Sequence, residues 1–551
     1  MNRVTIGLVF GAVACMGQPV IESAENAAGF MKAGLPNSGL AQGSLVVIKG
    51  RNLSQRNLAQ GGMPLPLELA GTSAQITVGS ATLPMPINYV IGTTDDRTQI
   101  SVVVPSATPA GLGSIRVTYQ GKGSAAFPVT VVRTAFGIFT INSAGSGAAV
   151  VFTGATLNTP TESLAPGAVA QIFGTGLGPV PYSDRLPAEA GNLNTEVEVW
   201  VGFKKAKVHY QGRVPEIASI DQINFTVPLD TPPGCAVSLL VRAGGVVGNA
   251  TTIPVAPTGG NCSDPLGLPT ELFGRAAQGV HVGAVNLVKT ATSTSGPGIA
   301  AISLKTDLLS GSFQRFDYSQ LLSYPGNGPS VGSCNVYSFA GRTPVLDPRV
   351  PALGLDAGVT LLASGPAGSV TMERHTQQKG LYWRTIGGSS LSSGTDPLSQ
   401  EFLTAGRFTV TGPGGNDLAG FSASLTWPTG FSWTNQPQLS GPVSRSNDLV
   451  IRWEGAPADG YVTISGYSIG GSAAAPVGAS FSCLAPGAAG SFTVPALVLQ
   501  LLPPAALPSE TAPAGQLTVA ASGAPVAFTT PGLDHGSLNY SSAHARTVTF
   551  Q

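Results

Sequence analysis

"LAPGAVAQIFGTGL", Leu164 to Leu177, has a counterpart 124 residues earlier in "LAQGSLVVIKGRNL", Leu40 to Leu53. The correspondence continues. "QITVGSA" (Gln75 to Ala81) matches the stretch "VEVWVGFKKA" around Val201 and Gly202, and "TQISVVVPSATPAG" (Thr98 to Gly111) matches "DQINFTVPLDTPPG" (Asp221 to Gly234). In the last pair Gln99 falls on Gln222, Ile100 on Ile223, Pro105 on Pro228 and Gly111 on Gly234. The offset changes by one residue, from 124 to 123, so two homologous domains stand in tandem. Each copy carries short runs rich in Val, Ile and Thr, bounded by Gly, Pro or Asn, which is the pattern of β-strands joined by turns. Such strands in about a hundred residues give an immunoglobulin-like sandwich. "GTGLGP" lacks the G-x-G-x-x-G spacing and following helix of a phosphate loop. Gly174 and Gly176 are therefore read as turn residues, with Asn52 opposite Gly176.

Composition supports an all-β, multidomain chain. Its 551 residues exceed what one hydrophobic core usually organises. With 72 Gly and 44 Pro among 42% apolar residues, it has material for many tight turns and still for a core. Charged residues make up 10% and balance to zero. No basic stripe exists, so nucleic acid is not an expected partner. The first residues, "MNRVTIGLVFGAVACMGQPV", place Arg3 before an apolar run and small residues. Residues 1–17 thus read as a secretory signal, cleaved after Gly17 or lipidated at Cys15. "VPALVLQLLPPAALP" is the nearest later approach to a membrane span, and Gln500 and the prolines break it. The mature chain is expected to be exported (extracellular, periplasmic or at the cell surface) with no transmembrane helix.

Four cysteines follow the signal: Cys235, Cys262, Cys334 and Cys483. An even number in an oxidising compartment suggests two disulfides with three connectivities, of which Cys235–Cys262 with Cys334–Cys483 is favoured. No C-x-x-C occurs, and the five histidines show no H-x-H or H-E-x-x-H spacing, so no metal or cofactor is expected. Asp95 and Asp96 beside Arg97 could hold calcium, but Asp in such a run more commonly serves a turn. "NDLAG" and "LDAG" are read in the same way.

"LAPGAVAQIFGTGLGP", "VEVWVG", "VPEIASIDQINFTVP" and "GNATTIPVAP" together resemble a family of Ig-like, IPT/TIG-related domains of large exported proteins of soil bacteria, and Phe136 to Asn158 resembles its entry segment. The resemblance covers about Pro36 to Pro257 and is weaker in the first copy. It implies an extracellular, mostly structural module without transferable catalytic residues. "SWTNQ", "IRWEG" and "SFTVPALVLQLLP" resemble the C-terminal region that accompanies such repeats. The expected division is 18–134 and 135–258 for the two Ig-like domains, an irregular β-rich segment over 259–345, and a β-sandwich region over 346–551 of one or two units, with a split near Ser440.

"GYSIG" fits G-x-S-x-G at Ser468, with Asp534, His535 and His544 following in α/β-hydrolase order. Gly and Pro follow where the helix of a nucleophile elbow should grow, and "GPSVG" makes a second match among turns, so the pattern is weak. Tryptophan offers the other candidate. Trp427 and Trp433 flank "PTGFS", and Trp383 and Trp453 lie in expected strands. An exposed Trp427–Trp433 platform would suit a neutral glycan, whereas strand aromatics ordinarily fill cores. The leading expectation is a non-enzymatic exported protein with a structural, adhesive or surface-interaction role toward an extracellular protein or polysaccharide. Carbohydrate binding is the alternative, and a serine hydrolase the remote one.

Overall fold

The computed structural model describes residues 17–92, 97–296, 299–322, 328–342, 352–387, 401–439, 441–505 and 514–551. In the first copy, Val20–Asn26, Leu45–Arg51, Arg97–Val103, Ile87–Ile91 and Leu58–Ala59 form one sheet. It faces a second, led by Leu40–Ala41, Phe127–Val132, Gly111–Tyr119 and Thr72–Val78. Side chains alternate across each strand, so every second residue meets the facing sheet. Ile48, Ile76, Ile100, Ile115 and Val117 are fully buried between them. The second copy packs Ile172, Val201, Ile223, Phe225 and Ile253 in the same manner. Its strand Lys204–Arg213 serves both sheets, pairing with Val197–Val201 over Lys204–Ala206 and with Asp221–Thr226 from Lys207 onward, with an irregularity at Val208/Tyr210 inside the second ladder. The bulge lies just past the change of sheets, where it adds local twist to the strand at the sandwich edge.

The repeat is copied in register as well as in sequence. Leu45 lies opposite Val103, and Val169 opposite Thr226. Val78 lies opposite Ala81, and Val201 opposite Lys204. Leu40 pairs in parallel with Val131, and Leu164 in parallel with Val255. Each position in the second copy is the first shifted by 123 or 124. The chain is an all-β protein of immunoglobulin-like sandwiches followed by further β-structure. Asn52 and Gly176 both adopt positive φ (56° and 108°), as residues at a turn do. Gly174 differs from the expectation. It sits inside strand Val169–Thr175, where an added Cβ would lie 2.2 Å from the Gly137 carbonyl oxygen. The missing side chain lets Gly137–Ile138 pair against this strand.

Beyond residue 260 the strands form a 14-stranded sheet with a separate three-stranded one. The segment 259–345, expected to be irregular and β-rich, contains the two longest strands of the described residues, Val280–Gly296 and Ile299–Phe316, paired along their length. Small and β-branched residues build this hairpin, and they gave no strong alternation to read. The last long strand, His535–Thr547, adds in parallel to Val280–Gly296. Two cores result. One gathers Phe313, Tyr382, Phe408, Trp427, Phe528 and Leu538; the other gathers Cys334, Trp433, Trp453, Ile464, Phe481, Leu517 and Phe550. They exchange segments: 334–340 precedes most of the first core yet belongs to the second, and 526–538 returns to the first. A single division near residue 440 does not describe this arrangement. The α-helical segments are four or five residues long, and no helix of the described residues is long and apolar enough to cross a membrane. The apolar run around Val494 to Pro508 instead gives Ala496–Leu499, with Leu499 and Leu502 buried in the second core.

The units meet through buried polar contacts. Arg213 and Asp221 form a fully buried ion pair in the second copy. Arg213 Nη2 also donates to the carbonyls of Gly43, in the first copy, at 3.0 Å and Gly178 at 2.8 Å. Asn26 Nδ2 donates to the Ala135 and Thr175 carbonyls, and the Leu45 amide donates to Thr175 Oγ1. Disulfides join Cys235 to Cys262 and Cys334 to Cys483. Beside the first, Asp264 accepts from the Cys235 amide at 2.7 Å and from Ser330 Oγ at 2.9 Å. Ser238 Oγ donates to the Cys334 carbonyl, and the Cys334 amide donates back to Ser238 Oγ. Burial pushes the Asp264 carboxyl up to about 6, against the pull of its amide and hydroxyl donors.

Two outcomes follow from these seams. Arg213→Ala leaves Asp221 buried without its counter-charge and should destabilise the chain by about 3–5 kcal/mol, whereas Arg213→Met with Asp221→Leu should recover most of the loss. Urea midpoints of the single and double variants test this, and a single variant as stable as the wild type overturns it. Folded Asp264 holds its proton more tightly than an unfolded Asp of pKa about 4, so the folded state loses stability as pH rises from about 4 through about 6. The stability of the wild type relative to Asp264→Asn should therefore fall over that window; a pH-independent difference removes the account.

Candidate functional site

The sequence-level candidates fall on opposite sides of their strands. Strand Phe421–Trp427 turns Phe421, Ala423, Leu425 and Trp427 inward, so Trp427 is 4% exposed. Trp433 is 3% exposed, and its Nε1 donates to Asn435 Oδ1 at 2.9 Å. Both rings fill cores and cannot form a sugar platform. Trp453 is buried as well, with Nε1 donating to the Gly487 carbonyl. Trp200 is partly covered and packs against the second core. Trp383 is the outward-facing member: strand Leu381–Gly387 points Tyr382 and Ile386 inward and leaves Trp383 48% exposed.

The surroundings of Trp383 follow from register. Ser310 lies opposite it on strand Ile299–Phe316, and Glu373 opposite it on Gly368–Arg374. One step on, Leu308 faces Thr385; across Gly368–Arg374, Leu362 faces Thr371. Leu308 and Leu362 are 39% and 41% exposed, while their strand neighbours Leu309, Leu361 and Ala363 are buried. The result is an open sheet face of hydroxyls with three apolar points. Its hydroxyls pair across strands, as in Ser364–Ser369 and Thr409–Ser424, each 2.8 Å apart. The His375 ring packs against Trp383 with centroids 4.5 Å apart, and His375 Nδ1 accepts from the Gln377 and Gln378 amides. Two nearby cations are ion-paired: Arg374 to Asp356 at 3.3 Å and Lys379 to Asp417 at 2.7 Å.

The hydrolase pattern separates in space. Ser468 is fully buried inside strand Tyr461–Ser472, and its Oγ donates to the Pro503 carbonyl at 2.6 Å. His544 Nε2 contacts the Phe431 carbonyl, and Asp534 pairs with Arg275 and accepts from the His281 amide. Burial lowers the pKa of His535, which sits opposite Val282. A mid-strand serine with its proton committed to a carbonyl is not a nucleophile elbow. Ser330 of "GPSVG" is buried too and bonds Asp264 and the Ala236 amide. Among the described residues no group of three or more His, Cys, Asp or Glu could hold a metal ion. Asp95 and Asp96 lie outside the described residues, as does Cys15.

Arg213, Asp264 and the partners of Trp383 carried no sequence signal. Nothing in "YQGRVPEI" distinguishes an interior arginine from a surface one, and outward parity at Trp383 depends on which strand neighbours fill the core.

No family model matches the chain, and no curated protein matches it. Solved structures that it resembles include an alpha-2-macroglobulin mutant of Salmonella, at 9% identity over 94% of this chain with a TM-score of 0.16. The chain spans 29% of that protein's length. Others are the I9–I11 tandem of titin (6% identity, 70% of this chain, 94% of that one, TM-score 0.12) and domains 5–6 of the S-layer protein SbsC (11%, 44%, 99%, 0.15).

The two kinds of tryptophan should separate on truncation. Trp433→Ala empties a core position and should cost about 3–5 kcal/mol, whereas Trp383→Ala should change stability by no more than about 0.5 kcal/mol. Thermal or urea denaturation reads both, and equal losses would refute the assignment of faces.

Proposed function

We propose that this chain is an exported, non-enzymatic scaffold of tandem Ig-like, IPT/TIG-related modules that acts in surface structure or adhesion. In this reading residues 1–17 are the export signal, with Cys15 as the lipidation alternative to cleavage after Gly17. Residues 18–134 and 135–258 are the two modules, and 259–551 forms the C-terminal β-region. The observation that carries the proposal is the character of the junctions. Successive units are not strung on open linkers but meet through the buried Arg213–Asp221 pair with its bond to Gly43, and through Asp264, Ser330 and the Ser238–Cys334 bonds. Inter-domain motion is the ordinary expectation unless such an interface is substantial. A protein built this way holds its surfaces at fixed separations, as a spacer or adhesive rod requires. Two disulfides suit an oxidising compartment. Its partner is an extracellular protein or a polysaccharide.

Fractionation of an expressing bacterial culture tests export. The chain should appear outside the cytoplasm, with the first 17 residues removed or with lipid on Cys15, and its four remaining cysteines should resist alkylation until reduced. A full-length chain with free thiols in the cytoplasm would overturn the reading. Small-angle scattering of the mature chain should fit one rigid envelope; a profile requiring independently moving units removes the spacer role.

A further inference from the structure

We propose that the open face around Trp383 binds a neutral polysaccharide, with the indole as the stacking platform and Glu373 and the flanking hydroxyls as hydrogen-bonding partners. This rests on the surface-interaction reading above and assigns it a place on the molecule. Three observations carry it. A large aromatic ring is costly to leave in water, yet Trp383 is 48% exposed on a strand whose neighbours Tyr382 and Ile386 are buried. The ring is held in advance: His375 packs against it, and the Gln377 and Gln378 amides fix His375 in turn. Little rotamer freedom remains to be lost on binding.

The third observation is charge. Glu373 is the carboxylate in register with the ring, and Arg374 and Lys379 are engaged by Asp356 and Asp417. Beside the ring the cations are thus neutralised, and Arg407, exposed on the more distant strand Gly406–Gly412, is left as a counter-charge away from the indole. The hydroxyl rows and apolar points of this face suit a ligand that is itself half apolar and half hydroxyl. A pyranose presents C–H groups to the electron-rich face of an aromatic ring and hydroxyls at its rim. Thr385, next outward on the same strand, and Leu308 and Leu362 extend the surface beyond one sugar, so a polymer fits better than a monosaccharide.

Affinity gel electrophoresis of the mature chain tests this with soluble neutral glucan, xylan and mannan, using a polyanionic polysaccharide as comparison. At least one neutral polymer should retard the protein. Trp383→Ala should weaken that retardation at least tenfold, and Trp383→Phe, which keeps an aromatic face, should retain most of it. Retardation by no neutral polymer overturns the proposal, as does retardation that survives Trp383→Ala. Binding confined to the polyanion and lost in salt would mean a charged ligand. A dimer that dissociates on Trp383→Ala in sedimentation would mean that a second copy covers the face. Each of these outcomes leaves the export and thiol measurements unaffected, so failure of the site is distinguishable from failure of the scaffold reading.

Discussion

The arrangement of the first two units turns on one buried ion pair. Arg213 and Asp221 belong to the second unit, yet the guanidinium reaches the Gly43 carbonyl of the first. Burial drives the Asp221 carboxyl up in pKa, and Arg213 and the Leu177 and Gly176 amides oppose it. Such a pair contributes little net stability over an apolar replacement, because desolvation consumes most of the attraction. Its geometry is another matter. The guanidinium's fixed donors must all find acceptors, so Gly43, Gly178 and Asp221 are held in one relation. Asn26, which bonds Ala135 and Thr175 from the first strand, fixes the same junction from the other side.

The N-terminal segment extends this logic to the C-terminal region. After strand Val20–Asn26 the chain leaves its own sandwich. Leu35 joins the core that holds Trp453 and Phe481, and Asn37 Nδ2 donates to the Val247 and Gly248 carbonyls. Leu240, Val247 and Ala250 of the second unit enter that core as well. One apolar cluster thus takes side chains from three parts of the chain, and opening it exposes all of them to water together. Chain continuity does the same work between the two C-terminal cores, where His535–Thr547 pairs with Val280–Gly296 beside the first core and leads into Val548 and Phe550 of the second.

Against this interior, Trp383 stands exposed on its sheet face among the described residues. The contrast with Trp427 is a matter of parity. Both lie in strands of the same sheet, but Trp427 shares its side of the strand with Leu425 and Ala423, and Trp383 shares its side with Thr385. A shift of one residue in either strand would exchange their environments.

Much of the fold was legible in the sequence. Short β-branched runs between Gly, Pro and Asn are strands because extended backbone accommodates branching and those residues supply turns. The repeat from Leu40 and Leu164 predicted two like sandwiches, since identical spacing of apolar residues imposes identical pairing. Other features were decided by tertiary structure alone. Gly174 is a strand residue because Gly137 approaches it. Val280–Gly296 and Ile299–Phe316 are long paired strands because neighbouring strands pair with the outer edge of each, and Trp427 and Trp433 are interior because their strands face cores. Sequence records which side chains are apolar and how often they recur, and this determines the kind of element. Which face of an element is covered, and by what distant segment, depends on backbone hydrogen bonds and packing between residues hundreds of positions apart, and local composition carries no trace of them.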